Sequence, residues 1–133
     1  MEQVPPYTLV VPAYNEAGRI QRLLAQIEGA EGEFIFVCEG EDGTPEIVNR
    51  FARAHPGMNI TCVHRQGRLG KGGAITEGMR RASGRLVGYV DADASTSFSQ
   101  MVELFSLLGD ADAVIGSRWV PGAVIERRQG LLR

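Results

Sequence analysis

Short apolar runs alternate with segments of helical periodicity along nearly the whole chain. Tyr7–Pro12 is an almost all-apolar run closed by a proline, the pattern of a strand covered on both faces. Ile20, Leu23, Leu24 and Ile27 then recur at i, i+3, i+4 and i+7, which predicts an amphipathic helix ending near Gly29. Phe34–Cys38 predicts a second buried strand. After a turn from Gly40 to Gly43, Thr44-Pro45-Glu46-Ile47 reads as an N-cap, a proline at the first helical position, an acidic residue and the start of a stripe through Ile47 and Phe51. That helix stops before His55-Pro56-Gly57.

Asn59–His64 predicts a third strand and Arg65–Gly73 a glycine-rich loop. Ala74, Ile75, Gly78, Met79 and Ala82 carry the spacing of a third helix, whose small residues let it lie close to a sheet. Leu86–Val90 predicts a fourth strand running into Asp91-Ala92-Asp93. Phe98, Met101, Val102 and Phe105 predict a fourth helix capped by Ser97, and Ala113–Ile115 a fifth strand. This alternation specifies an α/β domain with a doubly wound, mostly parallel sheet flanked by helices. Without repeats, linkers or low-complexity segments, residues 1–133 read as one domain.

Composition narrows the function classes. With 133 residues, 44% of them apolar, the chain can build a core without disulfides or a structural metal. Cys38 and Cys62 sit inside apolar runs, as packed thiols do in a reducing cytoplasm. The 14 basic and 16 acidic residues offer no broad basic field for nucleic acid. No run approaches the roughly 20 apolar residues of a membrane span, and Met1-Glu2-Gln3 lacks the features of a signal peptide. Pro121–Arg133 has no terminal cap and resembles the start of another helix, so the chain reads as the N-terminal part of something longer, truncated at its C-terminus. Oligomeric state is not legible.

Seventeen glycines are more than a domain of this size usually carries, and many fall between strand ends and helices. Ligands of open parallel sheets bind beyond the strands' carboxyl ends, and here those ends are polar. Strand one runs into Pro12-Ala13-Tyr14-Asn15-Glu16, strand two into Glu39-Gly40-Glu41-Asp42, strand three into a loop with Gly70-Lys71-Gly72-Gly73, and strand four into Asp91-Ala92-Asp93. Two carboxylates at i and i+2 after a buried strand offer hard oxygen ligands to Mg²⁺ or Mn²⁺; alternatively they form a solvated turn. Clustered glycines and a lysine suit an anion, though Lys71 can equally be an exposed loop cation, and the loop does not match G-x-x-x-x-G-K-[ST]. Tyr14 and Glu16 can serve a nucleobase and ribose or simply begin a helix. His55 reads as a surface loop residue, and His64 closes strand three.

Val10–Glu16, the Gly-Lys-Gly-Gly loop, Tyr89–Asp93 and Gly116-Ser117-Arg118 together resemble the family 2 inverting glycosyltransferases of the GT-A fold, and among them dolichyl-phosphate mannose synthases and dolichyl-phosphate glucosyltransferases. The resemblance runs from Thr8 to Arg128. It implies transfer of a hexose from a UDP-sugar or GDP-mannose to a polyprenyl phosphate, with a divalent metal as cofactor. On that resemblance Pro12, Tyr14 and Glu16 surround base and ribose, Val37 and Glu39 line the base pocket, and Lys71 belongs to the donor site. Asp91 with Ala92 contacts ribose and diphosphate, Asp93 with Asp91 holds the metal, and Arg118 reaches a phosphate. Many members carry Val-Asp-Asp-Gly-Ser after strand two, whereas this chain has Val37-Cys38-Glu39-Gly40-Glu41, which leaves the choice between UDP and GDP open. The family's acceptor-binding helices, and in many members the carboxylate base, lie beyond the nucleotide-binding half. An already anionic phosphate acceptor has little need of that base.

Two other readings compete. A sugar-phosphate nucleotidyltransferase shares a similar sheet but carries a basic glycine-rich signature after strand one, which Pro12–Glu16 is not. A nucleotide-binding fragment without turnover is the second. Arg127, Arg128 and Arg133 with Leu131 and Leu132 could begin an amphipathic helix at the cytosolic face of a membrane, or a solvated basic helix end.

Overall fold

In the computed structural model, which describes residues 3–124, strands and helices alternate as β1 (Tyr7–Tyr14), α1 (Ile20–Ile27), β2 (Glu33–Glu39), α2 (Thr44–Ala54), β3 (Asn59–Arg65), α3 (Gly70–Arg81), β4 (Leu86–Tyr89) and α4 (Phe98–Leu107). All pairings are parallel and the strand order is β3-β2-β1-β4. Order of this kind, with the first strand central, is that of a doubly wound sheet. Tyr14 lies opposite Glu39 and Glu39 opposite Arg65, so three strands end on one line.

The side-chain period of two sorts the strands onto two faces. Leu9, Val11 and Ala13 of β1 and Phe34, Phe36 and Cys38 of β2 pack with Ile20, Leu23, Leu24 and Ile27 of α1, Val48 of α2 and Met101 of α4. The helical stripe read from the sequence for α1 is buried in full. On the other face Ile35, Val37 and Val63 meet Ala74 of α3. Gly78 of α3 rides on β1, where an added Cβ would lie 2.3 Å from Val10 Cγ1, so small residues do set this helix close to the sheet. Cys38 and Cys62 are free thiols with sulfurs 3.8 Å apart.

Several sequence expectations need correction. Ala113–Ile115 is not a strand; among the described residues the sheet has four strands, and Ile115 is exposed. A three-residue apolar run gains neither a ladder nor a buried face there. β3 and β4 are edge strands that alternate exposed and covered positions rather than being buried on both sides. In α4 the core contacts come from Met101, Phe98, Leu104 and Phe105, while Val102 faces out. Ser97 does cap α4, in a capping box with Gln100. Thr44 does not cap α2 with its side chain. His55 is less free than expected, because its ring contacts the Phe51 carbonyl and the Glu28 carboxylate. The segment with Arg127, Arg128, Leu131, Leu132 and Arg133 lies outside the described residues.

At the amino end of the sheet, buried Glu33 ties three elements together. Its carboxylate accepts from the Thr8 hydroxyl on β1, from the Ser83 N–H at 2.8 Å and from the Ser83 hydroxyl at 3.0 Å. Thr8 Oγ1 in turn accepts from the Gly84 N–H at 2.8 Å. An added Cβ at Gly84 would stand 2.4 Å from the Thr8 backbone nitrogen, so only glycine allows this approach. Burial works against ionisation of Glu33, but these donors outweigh it and hold the carboxyl below its ordinary value. The resulting stabilisation is present above the ordinary carboxyl range and is lost as pH falls through the lowered folded-state value. Glu33→Ala is expected to cost about 2–4 kcal/mol near neutral pH, since it strands buried donors. Denaturant unfolding of both proteins at neutral and acid pH checks this, and the gap between them should shrink in acid.

Candidate functional site

The carboxyl ends of β1, β2 and β4 and the amino end of α3 enclose a groove of about 260 Å³. Pro12, Tyr14, Glu16, Glu39, Lys71, Asp91, Ala92 and Asp93 all line it, so eight of the ten positions singled out from the sequence converge there. A second hollow of about 480 Å³ adjoins it, sharing Tyr14 and Arg68 and lined further by Asn15, Gly40, Glu41, Asp42 and Gln66.

Backbone geometry at the end of β1 shapes the floor. Asn15 adopts a left-handed φ of 49°, donates its N–H to the Glu39 carbonyl at 3.2 Å and accepts the Glu41 N–H on Oδ1 at 3.1 Å. Gly40 faces it with φ 92°, and a Cβ there would fall 2.0 Å from Asn15 Oδ1. One residue on, the Glu16 N–H donates to Thr44 Oγ1 at 3.0 Å and the Ala17 N–H to Asp42 Oδ2 at 2.9 Å. Thr44 thus serves the neighbouring turn instead of its own helix.

Glu16 points one carboxylate oxygen at Arg19, 2.8 Å away, while its buried Oε2 has no hydrogen-bond partner. Burial pushes this carboxyl above the ordinary range; the Asp93 and Asp42 charges push the same way and the Arg19 guanidinium opposes them. Glu16 and Asp93 therefore sense each other across the groove.

β4 delivers the two aspartates. The Val90 N–H continues the ladder onto the Val10 carbonyl at 3.0 Å, and buried Val90 and Ala92 leave Asp91 and Asp93 on the groove side. Asp91 pairs with Lys71 at 2.6 Å, and the hydrogen bond raises the lysine above its ordinary value. Asp93 Oδ1 accepts the Ser95 N–H at 2.9 Å around Ala94, which is left-handed at φ 56°. Left-handed non-glycine residues are uncommon; among the described residues they are Asn15, which lines the adjoining hollow, and Ala94, which directly follows Asp93.

Lys71 lies in the first turn of α3, not in a loop, because the helix begins at Gly70. Val37 is fully buried beneath α3 with Ile35, Val63 and Ala74 and is closed off from the groove. Arg118 is exposed in a turn and does not line either hollow. Arg68, Arg19 and Asn15 line the site without having been anticipated. Arg68 sets its guanidinium 4.3 Å from the Tyr14 ring centroid, a cation–π contact, and its place just ahead of Gly70-Lys71-Gly72-Gly73 was the available signal.

Among the described residues no group of three or more His, Cys, Asp or Glu is placed to hold a metal ion alone. Asp91 and Asp93 both line the groove and are hard oxygen donors, the type that could take part in holding a divalent ion.

The chain matches the family model described as Glycosyl transferase family 2 over residues 8–132. It is 35% identical over 131 residues to glycosyltransferase AglD of Haloferax volcanii, covering 90% of this chain and 21% of that protein. It is 30% identical over 129 residues to the dolichol-phosphate mannosyltransferase of Saccharomyces cerevisiae, covering 91% and 48%. With the undecaprenyl-phosphate mannosyltransferase of Micrococcus luteus it shares 33% over 121 residues, 85% and 48% of the two chains. The chain thus spans between about a fifth and a half of these curated relatives. Its fold resembles S. aureus TarS 1–349 in complex with UDP, with TM-score 0.64 and 22% identity over 77% of this chain and 31% of that one. That likeness shows the fold, GT-A.

The Glu16 and Asp93 coupling can be read without any ligand. In Asp93→Asn the Glu16 titration midpoint, followed by side-chain carboxyl NMR, is expected to fall toward the ordinary glutamate value, whereas in Arg19→Gln it is expected to rise further. An unchanged midpoint in Asp93→Asn would refute the coupling.

Proposed function

The chain belongs to glycosyl transferase family 2, and on that premise we propose that its groove binds a nucleotide-sugar, within an enzyme that transfers the hexose to a polyprenyl phosphate. The carrying observation is the convergence of Tyr14, Glu16, Lys71, Asp91 and Asp93 on one groove at the carboxyl ends of the strands. Tyr14 offers a flat face for a base, and Glu16 offers acceptor oxygens for ribose hydroxyls. Lys71 and Arg68 bring positive charge to the rim, which favours a diphosphate. Asp93, with Asp91, would hold a Mg²⁺ or Mn²⁺ ion. When bound, such an ion stabilises the negative charge of the leaving diphosphate.

For the acceptor, the support is the relatives named for dolichol phosphate and undecaprenyl phosphate. An acceptor phosphate oxygen attacks the anomeric carbon as the bond to the nucleoside diphosphate breaks, giving inversion. The attacking oxygen is already anionic, so no side chain in the groove has to take its proton. Among the described residues no helix is long and apolar enough to cross a membrane. We place the encounter with a membrane-borne acceptor at the cytosolic face of a membrane.

Binding tests this directly. Titration of UDP-glucose and GDP-mannose with Mn²⁺ is expected to show saturable binding of at least one, weakened at least about tenfold, or 1.4 kcal/mol, by Asp93→Ala. Equal binding by both proteins, or none by either, would sink the reading. Lys71→Ala should weaken binding while shifting unfolding free energy by less than about 1 kcal/mol, because its partner lies half exposed.

A further inference from the structure

Glu39 is 3% exposed at the end of β2, and its Oε2 accepts the Leu69 N–H at 2.9 Å. Leu69 is the N-cap residue of α3, and no side chain of its own sequence neighbourhood caps that helix. The first turn that follows, Gly70-Lys71-Gly72-Gly73, is a poor helix former on its own, with Gly70 at φ 73°. Yet it is helical, and it delivers Lys71 to Asp91. A carboxylate on the amide at a helix amino end satisfies an orphan donor and favours the macrodipole.

We propose that Glu39 is a positioning residue: from 30 residues away in sequence it caps α3 and so fixes Lys71 against Asp91 at the diphosphate end of the groove. This role rests on the nucleotide-sugar reading above and differs from the base contact that the family resemblance implies for Glu39. A base-reading residue discriminates between nucleotides. A residue acting through Lys71 affects every diphosphate alike and depends on Lys71 being present.

Two measurements separate these. In the ligand-free protein, hydrogen exchange at the Leu69 amide and the first turn of α3 is expected to quicken at least tenfold in Glu39→Ala. It should stay within about threefold of wild type in Glu39→Gln, whose amide oxygen still accepts. With Mn²⁺ present, Glu39→Ala should weaken UDP and GDP by the same factor, Glu39→Gln should recover most of that loss, and Lys71→Ala should cost less in Glu39→Ala than in wild type. Where Glu39→Ala fails to fold, Glu39→Asp, which keeps the charge but shortens the reach, serves in its place with smaller effects of the same kind. Unchanged exchange, loss confined to one nucleotide, or strictly additive Lys71 and Glu39 effects would overturn the proposal. Wild-type protein that binds neither nucleotide overturns the nucleotide-site reading and with it the functional half of this role, while the exchange data still decide whether Glu39 holds the helix.

Discussion

Helix α3 is held to the sheet by carboxylates at both ends of one strand, and the groove depends on that attachment. Along the face of β2 turned to α3 the residues run Glu33, Ile35, Val37, Glu39: two acids bracketing two apolar side chains. Glu39 takes the amide at the amino end of the helix, and Glu33 takes the amide and hydroxyl of Ser83 just past its carboxyl end. The spans agree. Six strand steps cover roughly 20 Å, and the 12 residues of α3 cover about 18 Å before the chain extends through Ala82 to Ser83. The apolar contact of α3 with the sheet is made by small residues, Ala74 and Ala82 toward β2 and Gly78 over Val10 of β1, and the polar ties add to it at both ends.

Strand register turns that attachment into a site. Because Tyr14 pairs with Glu39, the turn after β1 and the loop after β2 meet at one height and exchange the Asn15 and Asp42 hydrogen bonds. β4 pairs only as far as Tyr89 opposite Val10, which frees the following residues to turn across the end of β1 and present Asp91 and Asp93. A one-residue slip would send these side chains to the opposite faces. Strained backbone at Asn15 persists because its own N–H, its side chain and the following Glu16 N–H are all hydrogen-bonded, and at Ala94 the Ser95 N–H to Asp93 bond closes the turn around it.

What the sequence made legible was periodic or local. The stripe of α1, the order of elements, the Ser97 cap and the polar strand ends are signals contained within a few residues, and eight proposed site positions did gather in one groove. What it hid was long-range polar pairing. Thr44 looks like a helix cap because its neighbours are cap-like, but the amide it serves is 28 residues back. Gly70-Lys71-Gly72-Gly73 looks like a loop because glycine disfavours helix, and the carboxylate that overrides this propensity sits in another element. Val37 followed a motif into the binding pocket, whereas the alternation along β2 turns it under Ala74.

The ligand-facing charges are set apart from the structural ones by exposure. Glu33 and Glu39 are buried and spend their charge on backbone amides, so their contribution is to stability and position. Lys71 and Asp91 are each about half exposed, and an ion pair there is worth little to folding because solvent screens it and both side chains lose rotamer freedom. A pair of low intrinsic value at a groove is easily exchanged: on the proposed function, a diphosphate would take Lys71 from Asp91 at small cost and leave the aspartate free for a cation bound with the same ligand. A surface pair that contributes little to the fold is thus one that, under the proposed function, would be free to answer a substrate both anionic and metal-bound.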